Sequence, residues 1–169
     1  MTRKQVISKL CNFLIFLLLI TLISCKKTDQ SQVPAVPVNI LIDQPTILAA
    51  AQGDIISVVP DSSKTGGVVT FNFGKTSYHL GDQVYGNGFE VYVAGYMTSY
   101  IAYDLTCTYN GLTSDCALIV NYKTQNDSCP CCGSKFNVPL GGTVISGKAV
   151  VPLKTYNATL GNGGLLISN

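Results

Sequence analysis

Two cysteine-bearing stretches hold the residues best suited to chemistry. The first is Cys107-Thr108-Tyr109-Asn110-Gly111, directly after the apolar run Tyr100–Leu105. The second is Cys129-Pro130-Cys131-Cys132-Gly133-Ser134-Lys135-Phe136. Cys129 and Cys132 stand in C-x-x-C spacing, which lets a tight turn aim both sulfurs at one ion. Gly133 is expected to avoid a Cβ clash in that turn and to free backbone N–H groups for a thiolate. Cys107 adds a third thiol from upstream. Thiolates grouped in this way bind soft metals.

The rest of the 169 residues offers little competing chemistry. A single histidine excludes sites that need two imidazoles, and one His with nine scattered acids supports neither a Ser-His-Asp nor a paired-carboxylate arrangement. A non-catalytic domain is therefore expected rather than an enzyme. His79, in Tyr78-His79-Leu80-Gly81, reads as a surface or capping residue. The net charge of +2 is too weak, and its basic residues too scattered, for a nucleic-acid surface. Gly161-Asn162-Gly163-Gly164 lacks the Lys-Ser/Thr of a phosphate loop and reads as a hairpin turn. Asn157-Ala158-Thr159 has the glycosylation pattern, which by itself carries little meaning.

The bulk composition mixes two objects. Residues 1–24 read as a signal peptide, with Arg3, Lys4 and Lys9 ahead of an apolar run from Leu10 to Ile23. That run is too short to span a bilayer comfortably. Its end, Leu22-Ile23-Ser24-Cys25, resembles a bacterial lipobox, which implies cleavage before Cys25 and acylation of its thiol. Cys25 is thus the expected lipidation site, and the membrane is the expected partner, in the bacterial cell envelope with the protein periplasmic or surface-facing. Residues 25–37 read as a lipidated tether, because Lys26 to Pro37 is polar and proline-bearing. Cleavage removes three of the 11 Lys+Arg and none of the nine Asp+Glu, leaving the mature chain near −1. Cys11 leaves with the signal, so the domain keeps Cys107, Cys116, Cys129, Cys131 and Cys132.

Residues 38–169 must position those cysteines. Strands are expected at Val38–Ile42, Ile55–Val59, Val68–Phe73, Phe89–Ala94, Tyr100–Leu105, Ala117–Tyr122, Val144-Ile145, Ala149–Leu153 and Leu165–Ser168. One or two helical turns fit Thr46–Ala51, with Thr46 as cap and Gly53 as stop. Short strands with Gly and Pro punctuation and no long helical period indicate an all-β antiparallel sandwich or barrel. Tyr92, Tyr96, Tyr100 and Tyr103 read as sheet-face packing.

The two loops carry a resemblance. Cys-Pro-Cys-x-Gly-Ser-x-Phe is similar to the second cluster-binding loop of the Rieske iron–sulfur family, and Cys107-Thr108 with its approach Tyr103-Asp104-Leu105-Thr106 is similar to the first. Gly141-Gly142-Thr143-Val144, Gly147-Lys148-Ala149 and Pro152-Leu153-Lys154-Thr155-Tyr156 resemble the family's downstream run, with Lys148 in place of its proline. The match covers roughly residues 38–169 and resembles the Rieske-like lipoproteins of Bacteroidetes-type bacteria. It implies a Rieske-like antiparallel β fold with two cysteine-bearing tip loops, and electron transfer with a redox partner protein.

The departures bear on the ligands. A Rieske centre gives two Cys to one iron and two His to the other. Cys107 and Cys129 occupy the cysteine positions, while Tyr109 and Cys132 replace the two histidines. The family's loop disulfide would join Cys131 to position 112, where Leu112 stands, and Cys116 is the nearest substitute. Three outcomes follow for the site. A [2Fe–2S] cluster could be held by Cys107, Cys129 and Cys132, with Tyr109 or Cys116 fourth, at a potential below the Rieske range. Zinc could take the same thiolates. With no metal, a cluster-free envelope module would oxidise Cys107 with Cys129 or Cys132, and Cys116 with Cys131.

Overall fold

The computed structural model describes residues 33, 37–61, 66–71, 77–80, 84, 86–95, 99–109, 111 and 115–169. Of residues 68, 69, 71 and 77–80 it describes the backbone alone. The leader with Cys11 and Cys25, most of the tether, and Tyr96, Asn110 and Leu112 lie outside the described residues. In chain order the elements are β1 (Asn39–Asp43), α1 (Gln44–Ala49), β2 (Ile55–Pro60), β3 (Gly67–Phe71), β4 (Ser77–Leu80), β5 (Phe89–Gly95) and β6 (Ser99–Asp104). There follow β7 (Asn126–Ser128), β8 (Lys135–Asn137), β9 (Thr143–Ser146), β10 (Thr155–Gly161) and β11 (Gly164–Ser168).

Eight strands form one sheet in the order β1-β11-β10-β6-β5-β2-β3-β4, and β7-β8-β9 form a second, smaller sheet. Every pairing is antiparallel. The expected all-β antiparallel class is what the described residues adopt, with the short helix α1 among them. Ile40 and Ile42 of β1 and Leu165 and Ile167 of β11 share a core with Ile56 and Val58 of β2 and Phe89, Val91 and Val93 of β5. Strands that lie apart in the sheet order meet in one core, so the large sheet curls around it.

The middle strands are buried on both faces. In β2, Ile56 enters that first core, whereas Ile55 enters a second with Tyr103, Leu105, Cys107, Cys116, Cys129, Phe136 and Leu153. Period-two alternation therefore reads as a continuous apolar run there. Burying each large aliphatic side chain contributes about 1.5–3 kcal/mol. The second core joins the large sheet to the small one, and both cysteine loops grow from it.

Several expectations need correction. Ala117–Tyr122 is not a strand: its hydrogen bonds alternate between two neighbours, Leu118 N to Leu105 O at 2.8 Å and Ile119 N to Ser128 O at 2.8 Å. Only isolated bridges form, at Thr106–Ala117 and Ile119–Ser128. Ala149–Leu153 is an irregular strap for the same reason, with Ala149 N bonded to Ser134 Oγ and Leu153 N to Gly142 O. The helix begins earlier than expected, with Pro45 in its first turn and Asp43 at the cap position, where Thr46 Oγ1 donates to Asp43 Oδ1 at 2.7 Å. It ends at Ala50, whose N–H bonds Ile47 O, before Gly53 is reached.

The strands β4, β7, β8 and β10 escape the pattern because they are short, polar or both. Asn157-Ala158-Thr159 lies inside β10. The turn expected at Gly161–Gly164 does close a hairpin, pairing Gly161 with Gly164 across Asn162-Gly163. His79 sits in β4, opposite Val68, with three strands between it and β6.

Candidate metal centre

The first loop is held by the end of β6. Asp104 Oδ1 accepts the Thr106 N–H at 2.7 Å, and its other oxygen accepts the Tyr156 hydroxyl from β10. Tyr103, fully buried, donates its hydroxyl to Val138 O at 3.0 Å. The chain thus leaves β6 with a fixed direction, and Cys107 N bonds Cys116 O at 2.9 Å. Thr108 Oγ1 then donates to Val151 O at 2.9 Å, tying the loop to the strap.

The second loop connects β7 to β8. Cys129 N bonds Ser134 O at 2.8 Å and Gly133 N bonds Cys129 O at 2.9 Å, which closes a tight turn. The role expected for Gly133 needs revision. A Cβ there would meet nothing within 4 Å, and its N–H goes to a carbonyl. Its φ of +75° is what requires glycine.

These loops bring Cys107, Cys129 and Cys132 together, all three sulfurs within 4.8 Å of one another, with Cys107 Sγ and Cys132 Sγ 3.5 Å apart. Cys107 and Cys129 are buried and Cys132 is half-buried. Cys116 and Cys131 form a disulfide, with sulfurs 2.02 Å apart, so Cys116 is not available as a ligand. Burial pushes the Cys107 thiol far up; its contacts with Cys129 and Cys132 add to this, while the Tyr109 N–H opposes it. Burial also pushes Cys132 up, but the Ser134 hydroxyl and N–H, with Cys129 and Cys107, outweigh it and hold this thiol below its ordinary range. Tyr109 packs against the second core, with Lys148 Nζ 5.8 Å from its ring centre.

Ser134 proves to be the organiser that sequence reasoning quoted without assigning a role. It is fully buried, and its Oγ accepts the N–H groups of Lys148 at 3.0 Å and Ala149 at 2.8 Å. The Cys132 thiol lies 3.1 Å from the same Oγ and donates to it. Once that thiol ionises it can only accept, and the Ser134 hydroxyl and N–H then stabilise the thiolate. Gly147 makes this seat possible: at φ +100°, a Cβ would lie 2.3 Å from Ser134 Cα and 2.7 Å from its Oγ.

The structure also assembles a carboxyl pair, where the sequence offered only scattered acids. Glu90 of β5 and Asp127 of β7 are both fully buried between the two sheets, and neither carboxyl has a well-formed hydrogen bond among the described residues. Burial pushes Glu90 far up, with the Asp127 charge and contact adding to it. Burial raises Asp127 to about 6, with Glu90 and the Asn121 N–H pulling the other way. The pair therefore holds a proton more readily than separate, solvated carboxyls would. No substrate reaches a pair so enclosed, so it gives no support to catalysis. The visible signal was a lone Glu in the apolar strand Phe89–Gly95.

No known protein family matches the chain, and no curated protein matches it. Among solved structures it is similar to the ferredoxin of carbazole 1,9a-dioxygenase from Nocardioides aromaticivorans IC177, at 14% identity and a TM-score of 0.39, covering 79% of this chain and 98% of that one. That likeness is too loose for the properties of one protein to be read onto the other.

Proposed function

We propose that the chain is an envelope lipoprotein whose tip holds a [2Fe–2S]-type cluster for electron transfer. The observation that carries this reading is the convergence of three free thiols from two separate loops within 4.8 Å. The donor set fits a soft metal group. Cys107, Cys129 and Cys132 would hold it, and with Cys116 in a disulfide the fourth position falls to Tyr109. Such a cluster supplies one-electron transfer when bound. Around it, the Ser134 hydroxyl would donate to the Cys132 thiolate and the Tyr109 N–H bonds Cys107. Both donors stabilise thiolates. Zinc on the same thiolates would make the site structural. The Rieske resemblance of the loop residues supports the redox reading, while the replaced histidines set its potential below the Rieske range.

Iron, zinc and acid-labile sulfide analysis with visible absorption, on the full-length chain purified anaerobically in detergent, tests this. Stoichiometric iron and sulfide are expected, and zinc alone or no metal defeats the cluster. The anchor is tested separately. Cys25→Ala is expected to release the protein from membranes, and continued tight binding would make residues 10–24 a helical anchor.

A cluster-free module is the second reading. Its supporting observation is the 3.5 Å separation of Cys107 and Cys132, close enough for the two to oxidise together. A colourless, metal-free protein with two disulfides would establish it.

A further inference from the structure

The Asn-Gly turn between β10 and β11 carries a chemistry separate from that of the cysteine site. Asn162 and Gly163 are both exposed and fill the two-residue gap between Gly161 and Gly164, which pair in register. Among the described residues, no hydrogen bond holds the Asn162 side-chain amide or the Gly163 N–H. The fold does not demand glycine here. The φ of Gly163 is not left-handed, and a Cβ would meet only Leu41 Cδ2, at 3.8 Å. What the missing side chain leaves is an unshielded peptide nitrogen beside an untethered carboxamide.

A second Asn-Gly step shows the opposite arrangement. Asn87 Nδ2 donates to Thr106 Oγ1 at 3.1 Å and to Asp115 Oδ1 at 3.0 Å. Gly88, at φ +83°, lies so close to β2 that a Cβ would be 2.1 Å from Val58 O, and its carbonyl accepts the Leu105 N–H at 3.0 Å. The same dipeptide is pinned in one place and open in the other.

We propose that Asn162 is a self-modification site, where the side chain loses ammonia to give an aspartyl or isoaspartyl residue. The Gly163 nitrogen gives its proton to a base in solution and attacks Asn162 Cγ. The new N–Cγ bond closes a succinimide ring as the Cγ–Nδ2 bond breaks, and Nδ2 takes up a proton and leaves as ammonia. Water then opens the ring, its hydroxyl going to the carbonyl carbon and its hydrogen to nitrogen. Cleavage of the N–Cγ bond gives the aspartyl form, and cleavage at the main-chain carbonyl gives the isoaspartyl form. Only water is consumed and nothing is oxidised. Either product places a carboxylate at the hairpin, beside the groove lined by Ile47, Leu48 and Leu160. The isoaspartyl form also adds a carbon to the main chain of a two-residue turn, whose length fixes the hairpin register. The hairpin thus records the age of the chain, whether or not a metal is bound at the tip.

Ageing the folded full-length chain in detergent and mildly alkaline buffer tests it. Fragmentation of the tryptic peptide of residues 155–169 locates the amide-to-carboxyl mass gain, and a protein isoaspartyl methyltransferase with labelled methyl donor counts the isoaspartyl share. An unaged sample digested in parallel sets the zero. Asn162 is expected to convert about tenfold or more faster than Asn87, whose amide must first break two hydrogen bonds. In denaturing urea, which removes both arrangements, the two rates are expected to converge. Gly163→Ala is expected to slow conversion of Asn162 about tenfold with the hairpin kept, because its Cβ shields the nitrogen and has room in the turn. Equal rates at Asn162 and Asn87 in the folded chain overturn the proposal. So does conversion of Asn162 only in urea, which would mean that the hairpin protects it. An unchanged rate in Gly163→Ala would refute attack by the Gly163 nitrogen.

Discussion

The buried Glu90–Asp127 pair makes stability depend on pH in an unusual direction. An ordinary aspartate, protonated below about 4, ionises in the unfolded chain well before Asp127 does in the fold. Between about pH 4 and 6 the folded state therefore holds a proton the unfolded state has lost, so stability falls as pH rises. The carboxyl's stabilising contribution is complete below the unfolded value and is gone above the folded one. A rise from 3.8 to about 6 corresponds to about 3 kcal/mol. Glu90 is raised as well, so the loss continues above pH 6 while it still holds its proton. The Glu90→Gln/Asp127→Asn double variant removes both titrations with little change of shape. Urea unfolding of both chains from about pH 4 to 8 isolates the effect, because other titrating groups cancel in the difference. The wild-type chain should lose about 3 kcal/mol or more relative to the double variant over that range. Parallel profiles would show that burial does not raise these carboxyls, and the reasoning would fail.

Gly147 and Gly141 form a matched comparison, with φ +100° and +76°, but only Gly147 would press a Cβ into Ser134. Gly147→Ala should cost about 2–5 kcal/mol in urea unfolding and Gly141→Ala about 1–2 kcal/mol, and equal losses would remove the steric argument. Ser134→Ala should cost about 2 kcal/mol, because the N–H groups of Lys148 and Ala149 lose their acceptor. The same change withdraws the hydroxyl from Cys132, so maleimide should cap that thiol more slowly at neutral pH; an unchanged rate would mean Ser134 does not favour the thiolate.

Legibility followed the range of the interaction. The strands β1, β2, β5, β6 and β11 were visible because their alternation or continuous apolar run is local. Ala117–Tyr122 has the same apolar look, yet its backbone partners switch between the end of β6 and β7, which no run of one segment reveals. The strands β7 and β8 are three residues each and contain Asn, Asp, Ser and Lys, so composition argued against them. In the site, spacing located the two loops but misread Gly133, because a left-handed φ and a steric clash demand the same residue.

Taken alone, the order of residues determined the all-β antiparallel class, the two cysteine loops and the residue types available at the tip. The tertiary structure decided how those residues divide. It joined Cys116 to Cys131, left Cys107, Cys129 and Cys132 as free thiols, seated Ser134 against Gly147, and enclosed Glu90 with Asp127. Most of these depend on how the small sheet packs on the large one, while Ser134 meets Gly147 through the β8–β9 pairing. Sulfur and carboxyl contacts act over a few ångströms, whereas most of their residues lie 13 or more positions apart in the chain. Only the packing of the second core sets those distances.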